Sequence, residues 1–329
     1  MKVLFIGGTG NISTSVSRLC IDLGIDLYLL NRGLANNSID KVKNITGDIT
    51  KPETLHTELR KHKWDAVVNW IAFNENDITR DYQLFKSVTK QYIFISSASC
   101  YQKPLLHPVV TESTPLSNPY WEYSRNKIAC EEKLNDLYRN NNFPITIVRP
   151  SHTYSNVIPV AIGGWNDYTI IERIKKGKKI IVHGDGTSLW TLTHARDFAK
   201  GFVGLLGNPQ AIGNAFHITS DEILTWNQIY KTIAECIDIE PEIVHISSEL
   251  IEKLEPSLRG SLLGDKATSV IFDNSKIKRY VPGFNAVIPF NEGIKETIKW
   301  FESDPERMIL KKDTNKMMDR IINFYEKLF

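Results

Sequence analysis

Tyr123 and Lys127 stand four residues apart in the stretch YSRNK, 123 to 127. On a helix that spacing puts both side chains on one face, one turn apart. A tyrosine of ordinary pKa, ~10, is a poor base at neutral pH. A nearby ammonium or a positively charged ring favours its phenolate. Such a tyrosine can take a proton from an alcohol while hydride leaves the carbon, or return the proton in the reverse direction. The spacing alone is common, and Tyr82 with Lys86 repeats it. The surroundings separate the two pairs. YIFISSAS, 92 to 99, reads as a buried strand ending in Ser96, Ser97 and Ser99, directly ahead of the helix that carries Tyr123. A hydroxyl at the carboxyl end of a parallel strand borders the ligand crevice of an open α/β sheet. Ser97 is therefore expected to steer the reacting oxygen, Tyr123 to carry the proton and Lys127 to tune it. Tyr82 and Lys86 have no such companion and read as coincidence.

Hydride chemistry needs an acceptor, and the N-terminus offers a place for one. GGTGNIS, 7 to 13, follows a strand and opens a helix. Gly7 and Gly10 let the main chain approach a pyrophosphate, and the turn through Thr9, Asn11 and Ile12 leads to unpaired N–H groups at the helix start. Ser13 takes the third small position. The next strand ends LLNRG, with Asn31 and Arg32 where an acidic residue would accept bonds from the adenosine ribose. Arg32 either forks onto a 2′-phosphate or faces solvent. The cofactor is therefore NADP or NAD, with NADP slightly favoured. Asp48 and Ile49, after the third strand, either flank an adenine or close a turn.

The elements that must position these groups alternate. KVLFI, 2 to 6, is a buried strand; 14 to 24 has helical spacing; 25 to 30 is a second strand. Strand, glycine turn, helix and strand within about 30 residues form a βαβ unit with parallel strands. The rhythm continues through KVKNIT, a strand at 64–73, a helix at 81–90, the serine strand at 92–99, a long helix at 123–141 and a strand at 145–150 stopped by Pro150. The expected fold is α/β: a doubly wound, Rossmann-like parallel sheet with a smaller C-terminal substrate lobe. Residues 1–155 form the dinucleotide-binding domain, with later segments near 190–218 and 268–282 returning to it. Residues 156–329 are mainly the substrate lobe.

Composition narrows the function. The 329 residues are 42% hydrophobic and carry 40 basic against 38 acidic side chains, a net charge of +2. That balance gives no push toward nucleic acid or anionic membranes. The one dense basic run, KKGKK at 175–179, reads as a solvated turn. Cys20, Cys100, Cys130 and Cys236 form no Cys-x-x-Cys pair and no metal-ligand spacing with histidine. Reduced thiols in a cytoplasmic protein are expected. MKVLFIGGTG runs into glycines rather than a cleavage site, and no stretch approaches ~20 apolar residues, so neither a signal peptide nor a membrane span is expected.

Taken together, GGTGNIS, GDI at 47–49, ISSASCY at 95–101 and Tyr123 with Lys127 resemble the extended short-chain dehydrogenase/reductases, the nucleotide-sugar epimerase/dehydratase group. VRPSHTY, HGDG, HARDFA and DNSKIKRYVPGF continue the order of segments, so the resemblance covers essentially the whole chain. It implies an NAD(P)-dependent enzyme with a Ser97–Tyr123–Lys127 catalytic set. Ile71 and Ala72 would line the cofactor, and Pro150 and Ser151 would lie near the nicotinamide. The substrate implied is a nucleotide-activated sugar, handled by an epimerase or a 4-ketoreductase, and a homodimer through the two long helices is possible. Three departures matter. Sugar 4,6-dehydratases carry an Asp-Glu pair where this chain has Ala98 and Ser99, which disfavours that reaction. His152 replaces an asparagine that reaches substrate diphosphate, and Trp190 replaces an arginine after GDG. Trp165, Trp190 and His194 either build a more aromatic substrate wall or pack the second lobe. Two other readings stay open: a cofactor-binding RNA-binding or regulatory relative of the fold, and a reductase of a non-sugar carbonyl.

Overall fold

A computed structural model describes residues 1–33 and 39–328. Its centre is a seven-stranded sheet: β1 (Lys2–Ile6), β2 (Asp26–Asn31), β3 (Lys43–Thr46), β4 (Ala66–Asn69), β5 (Tyr92–Ile95), β6 (Ile145–Pro150) and β7 (Asn214–Ile218). The strands run parallel in the order β7-β6-β5-β4-β1-β2-β3. The order reverses between β1 and β4, which opens a crevice at the carboxyl edge. Alternation along β1 sends Val3 and Phe5 to one side and Leu4 and Ile6 to the other. Both sides are apolar because helices cover both faces. Val16 and Cys20 of α1 (Ser13–Asp22), with Phe198 and Phe202 of α4 (Ala195–Val203), pack over Val3 and Phe5. Ile78 and Phe85 of α2 (Glu75–Phe85), with Cys130 and Leu134 of α3 (Glu122–Asn141), cover Leu4 and Ile6. The four cysteines are free, and burial pushes the thiols of Cys20, Cys100 and Cys130 up to about 12.

Several boundaries differ from the sequence reading. The helix expected at 81–90 is α2, which starts six residues earlier. Asn74 and Asp77 form a reciprocal capping box that fixes the start, and the helix stops at Phe85. The apolar runs at 64–73 and 92–99 shrink to β4 and β5, because their last residues leave the ladder to form the crevice floor. Ala98–Cys100 is one 3₁₀ turn, with Ser97 Oγ accepting from Ser99 N at 3.2 Å. The helix of Tyr123 does not follow directly. A loop intervenes, and its Val109–Val110 pairs in parallel with Ile271–Phe272. Lys86 Nζ lies 5.1 Å from the centre of the Tyr82 ring, a local pair that is not part of the crevice wall. Gly177 turns the basic run with φ +59, among exposed lysines.

A third apolar cluster lies C-terminal to the sheet. It joins Tyr154, Ile170, Trp190, Trp226, Phe290 and Ile321. Trp226 opens α5 (Trp226–Glu235), Phe290 opens α6 (Phe290–Glu302) and Ile321 lies on α7 (Lys312–Glu326). Among the described residues no helix is long and apolar enough to cross a membrane.

One buried ion pair ties α3 to the sheet beneath the crevice. Arg149 Nη2 meets Glu131 Oε2 at 2.6 Å, with side chains 6% and 1% exposed. Ser96 Oγ donates to Glu131 Oε1 at 2.5 Å, so the serine turn hangs on the same carboxylate. The Arg149 guanidinium is held well above its ordinary range by Glu131, against burial. Removing one partner of such a pair strands the other charge. Glu131→Ala should lower unfolding free energy by about 3–5 kcal/mol in urea titration, and a loss under ~1 kcal/mol would remove the pair from the fold's support.

Candidate active site

The crevice at the switch point is a cleft of about 750 Å³ that runs from the glycine turn past Tyr123 to Trp165. At one end, Gly7 and Gly8 hold φ of +91 and +116. A Cβ on Gly8 would come within 2.7 Å of Leu29 Cδ2, and one on Gly7 within 3.3 Å of Trp70 Cβ. Only glycine passes here, so the main chain can bend into α1. The start of α1 has no side-chain cap and no acidic residue in its first turn. Thr14 N turns back to Gly10 O at 3.0 Å, and the positive potential of the helix start faces an anion with no carboxylate to oppose it. Asn11 Nδ2 donates to Thr153 O at 2.9 Å, while Asn11 Oδ1 is buried without a partner. An unsatisfied acceptor beside an uncapped helix start is what a ligand bearing hydroxyls and phosphates would complete. The residues present fit a dinucleotide.

At the other end, Tyr123 lies between two rings, 6.4 Å from Phe73 and 5.1 Å from Trp121. Burial pushes its phenol up to about 12, with help from the nearby Cys100 and Asp265, while the neighbouring Ser97 hydroxyl pulls it down. Ser97 Oγ is also 2.8 Å from Ser99 Oγ, and Ser99 Oγ is 2.7 Å from Ser124 Oγ. Ser97 and Tyr123 therefore line one wall region of the same cleft.

Lys127 departs from the expected role. Its Nζ donates to Ala72 O at 2.6 Å and Ile95 O at 2.7 Å. It stands 4.6 Å from the centre of the Phe73 ring and 5.8 Å from that of Tyr123. Residue spacing puts the two side chains on one face, but a buried ammonium goes to the strongest acceptors within reach, here two main-chain carbonyls. Burial lowers Lys127 to about 8 from 10.5. It does not hold the Tyr123 phenol down in this state.

The remaining expected residues divide. Thr9, Gly10, Ile12, Ile71, Pro150, Ser151, His152 and Trp165 line the cleft with Gly7 and Asn11. Ala72 is fully buried and contributes its carbonyl, through Lys127. Asn31 and Arg32 lie outside the cleft wall, and Asn31 Oδ1 accepts from Gly33 N at 3.0 Å. Asp48 closes a turn instead of reaching free into a ligand site: its carboxylate accepts from Thr50 N at 3.0 Å and Thr50 Oγ1 at 2.8 Å, which hold it below the usual carboxylate range. Ile49 is 5% exposed and packs in the core with Leu55, so its side chain is not a free lid for a ring.

The aromatic wall is also corrected. Trp165 is 48% exposed and lines the cleft, but Trp190 is 1% exposed and sits behind His152, to whose Nδ1 its Nε1 donates at 3.3 Å. His194 is buried elsewhere, edge-on to Tyr154, where it caps α4. Both pack the lobe because its core needs large apolar surfaces. Unforeseen cleft residues are Gly8, Phe73, Trp121, Asp265 and Lys266. The glycine doublet signals Gly8, and the tryptophan two residues before Tyr123 was visible in sequence. LLGDK carries no pattern that announces Asp265 and Lys266.

Fold and cleft together define a nicotinamide-dinucleotide-binding protein of the short-chain dehydrogenase/reductase type. The chain belongs to the NAD dependent epimerase/dehydratase family, whose model matches residues 3–219. It is 26% identical over 261 residues to the chloroplast stem-loop binding protein of 41 kDa b from Arabidopsis thaliana, covering 74% of this chain and 65% of that protein. It is 27% identical over 209 residues to UDP-glucose 4-epimerase of Lactobacillus helveticus, covering 52% and 63%. The fold resembles the crystal structure of dTDP-glucose 4,6-dehydratase from Bacillus anthracis in complex with NAD, with TM-score 0.73 and 18% identity, covering 93% of this chain and 98% of that one.

The depressed Lys127 has a measurable consequence. Between pH about 8 and 10.5 the unfolded chain keeps a proton that folded Lys127 has released, so this residue makes stability rise with pH across that window. Urea midpoints of wild type relative to Lys127→Met should therefore improve from pH 8 to pH 10, and a flat difference would place the folded pKa at its ordinary value.

Proposed function

We propose that this chain transfers hydride at a secondary alcohol or ketone of a nucleotide-activated sugar, as an epimerase or a 4-ketoreductase. The observation that carries the reading is that Ser97 and Tyr123 line the same cleft as the glycine turn and the uncapped start of α1. The glycine turn and the first N–H groups of α1 would hold the pyrophosphate of the cofactor, and Asn11 Oδ1 would accept from a cofactor hydroxyl. Bound as NAD⁺, the cofactor supplies a hydride acceptor and a positive ring whose field favours phenolate. Ser97 orients the substrate oxygen and Tyr123 Oη receives its proton as the carbonyl forms. In the reverse direction Tyr123 returns that proton. Phe73 and Trp121 keep water from the phenol, and Lys127 secures the strand ends on which Ser97 is carried. An epimerase would return hydride to the other face of the keto sugar; a ketoreductase would stop after one transfer.

Dehydration is disfavoured on this reading, because Ala98 and Ser99 supply no carboxylate beside Ser97. NADP is slightly favoured over NAD by the exposed Arg32 at the end of β2. The plant relative's name motivates a second reading, RNA binding on a cofactor-binding fold. The net charge of +2 argues against it, and a salt-dependent gel shift with stem-loop RNA would favour it.

Purified protein should carry nicotinamide cofactor or take it up on titration, with NADPH at least as tight as NADH; flat fluorescence and calorimetric titrations with both would end this reading. Tyr123→Phe should lose at least ~100-fold in turnover on whichever UDP- or dTDP-sugar is accepted, while its circular dichroism and cofactor affinity persist. Unchanged turnover would take Tyr123 out of the mechanism.

A further inference from the structure

Leu262–Lys266 forms a single π-helical turn, a rare geometry that recurs at functional sites. Three successive carbonyls of this turn are fixed by buried side chains from other segments. Gly264 O accepts from Asn118 Nδ2 at 2.7 Å, and Asp265 O accepts from Lys103 Nζ at 3.1 Å. Lys266 O accepts from His183 Nε2 at 3.0 Å and from Trp226 Nε1 at 3.2 Å. Trp121 packs so closely that a Cβ on Gly260 would lie 2.3 Å from its Cδ1, and one on Gly264 would lie 3.0 Å from its Cβ. The main chain is thus held from several sides, while Asp265 and Lys266 line the cleft. Their carboxylate and ammonium are 3.1 Å apart and only 17% and 12% exposed. A pair so placed is preorganised, since little is left to order when a ligand arrives.

The same cleft holds a flat surface and a further donor. Trp165 is 48% exposed and has φ +70, a conformation costly for a bulky residue. Reciprocal main-chain bonds with Ile158, at 2.7 and 2.8 Å, hold it there. Its ring stacks on His152 with centroids 5.9 Å apart and planes at 26°. His152 accepts from Trp190 at Nδ1, so the neutral ring carries its proton on Nε2. Burial and the charge of Lys266 keep that ring neutral, well below its ordinary pKa. The set is an open indole face, one fixed carboxylate acceptor and two fixed donors, with no net charge. A pyranose ring matches it: hydroxyls that both donate and accept around the rim, and C–H groups on the face. A diphosphate does not, because the only ammonium in this set is already neutralised by its neighbour.

We propose that Asp265 and Lys266 read the hydroxyls of an uncharged glycosyl ring that lies against Trp165, and so determine sugar specificity. This rests on the nucleotide-sugar reading above and deepens it. The test is calorimetric titration of the NADH-loaded protein, which cannot oxidise an alcohol, with UDP, dTDP, UDP-glucose and dTDP-glucose. Wild type should bind at least one sugar nucleotide ~10-fold or more tighter than its parent nucleotide. Asp265→Asn and Lys266→Met should each erase most of that difference, while affinities for NADH and the parent nucleotide stay within ~3-fold. Variants that keep the full sugar increment would overturn the proposal, as would variants that lose nucleotide and NADH affinity in parallel, which marks a structural role. Wild type that binds NADH but none of the four ligands would overturn the nucleotide-sugar reading, and this subsite with it.

Discussion

The site depends on a buried ammonium between two carbonyls. Lys127 of α3 reaches Ala72 O, just past β4, and Ile95 O, the last residue of β5. That contact pins the first turns of α3 against the carboxyl ends of two neighbouring strands. Tyr123, one turn earlier, is thereby set in the cleft that Ser97 also lines. An ammonium 2% exposed is costly unless satisfied, and the two main-chain acceptors with the faces of Phe73 and Phe94 meet that need. The contact also explains why the lysine cannot tune the phenol in this state, since its charge is committed to the main chain.

The second constraint is polar and lies one layer deeper. Glu131 receives Ser96 and Arg149 together, so the turn that presents Ser97 is anchored from below by an ion pair. Tyr101 and His217 extend this buried network at 2.9 Å. Such groups fix position more than they add stability, because desolvation offsets much of their attraction. A proton-transfer site needs this placement, since the donor and acceptor must meet at hydrogen-bond distance.

The two ends of the cleft are built by different physics. The cofactor end is main chain: glycines at positive φ and an uncapped helix start, which recognise a group shared by many enzymes. The other end is side chain: Trp121, Trp165, His152 and the Asp265–Lys266 pair on a π-helical turn. Family membership is carried by the first, while relatives of one fold carry names as different as epimerase and stem-loop binding protein.

The sequence by itself determined the parallel α/β sheet, the glycine turn, and that Ser97 and Tyr123 share the cleft. Each rests on local information: short continuous apolar runs, glycines between strand and helix, a hydroxyl at a strand end. Strand and helix limits near the crevice escaped it, because Ser97 and Ala98 leave the ladder only where the sheet edge opens, and α2 starts where Asn74 can cap it. Tertiary structure alone decided that Lys127 bonds the main chain, that Ile49, Trp190 and His194 are packing residues, and that Asp48 closes a turn. It also brought Asp265 and Lys266, far along the chain, into the cleft with Tyr123. Those outcomes turn on which acceptor, cavity or charge lies nearest in space, and spacing along the chain carries no record of that.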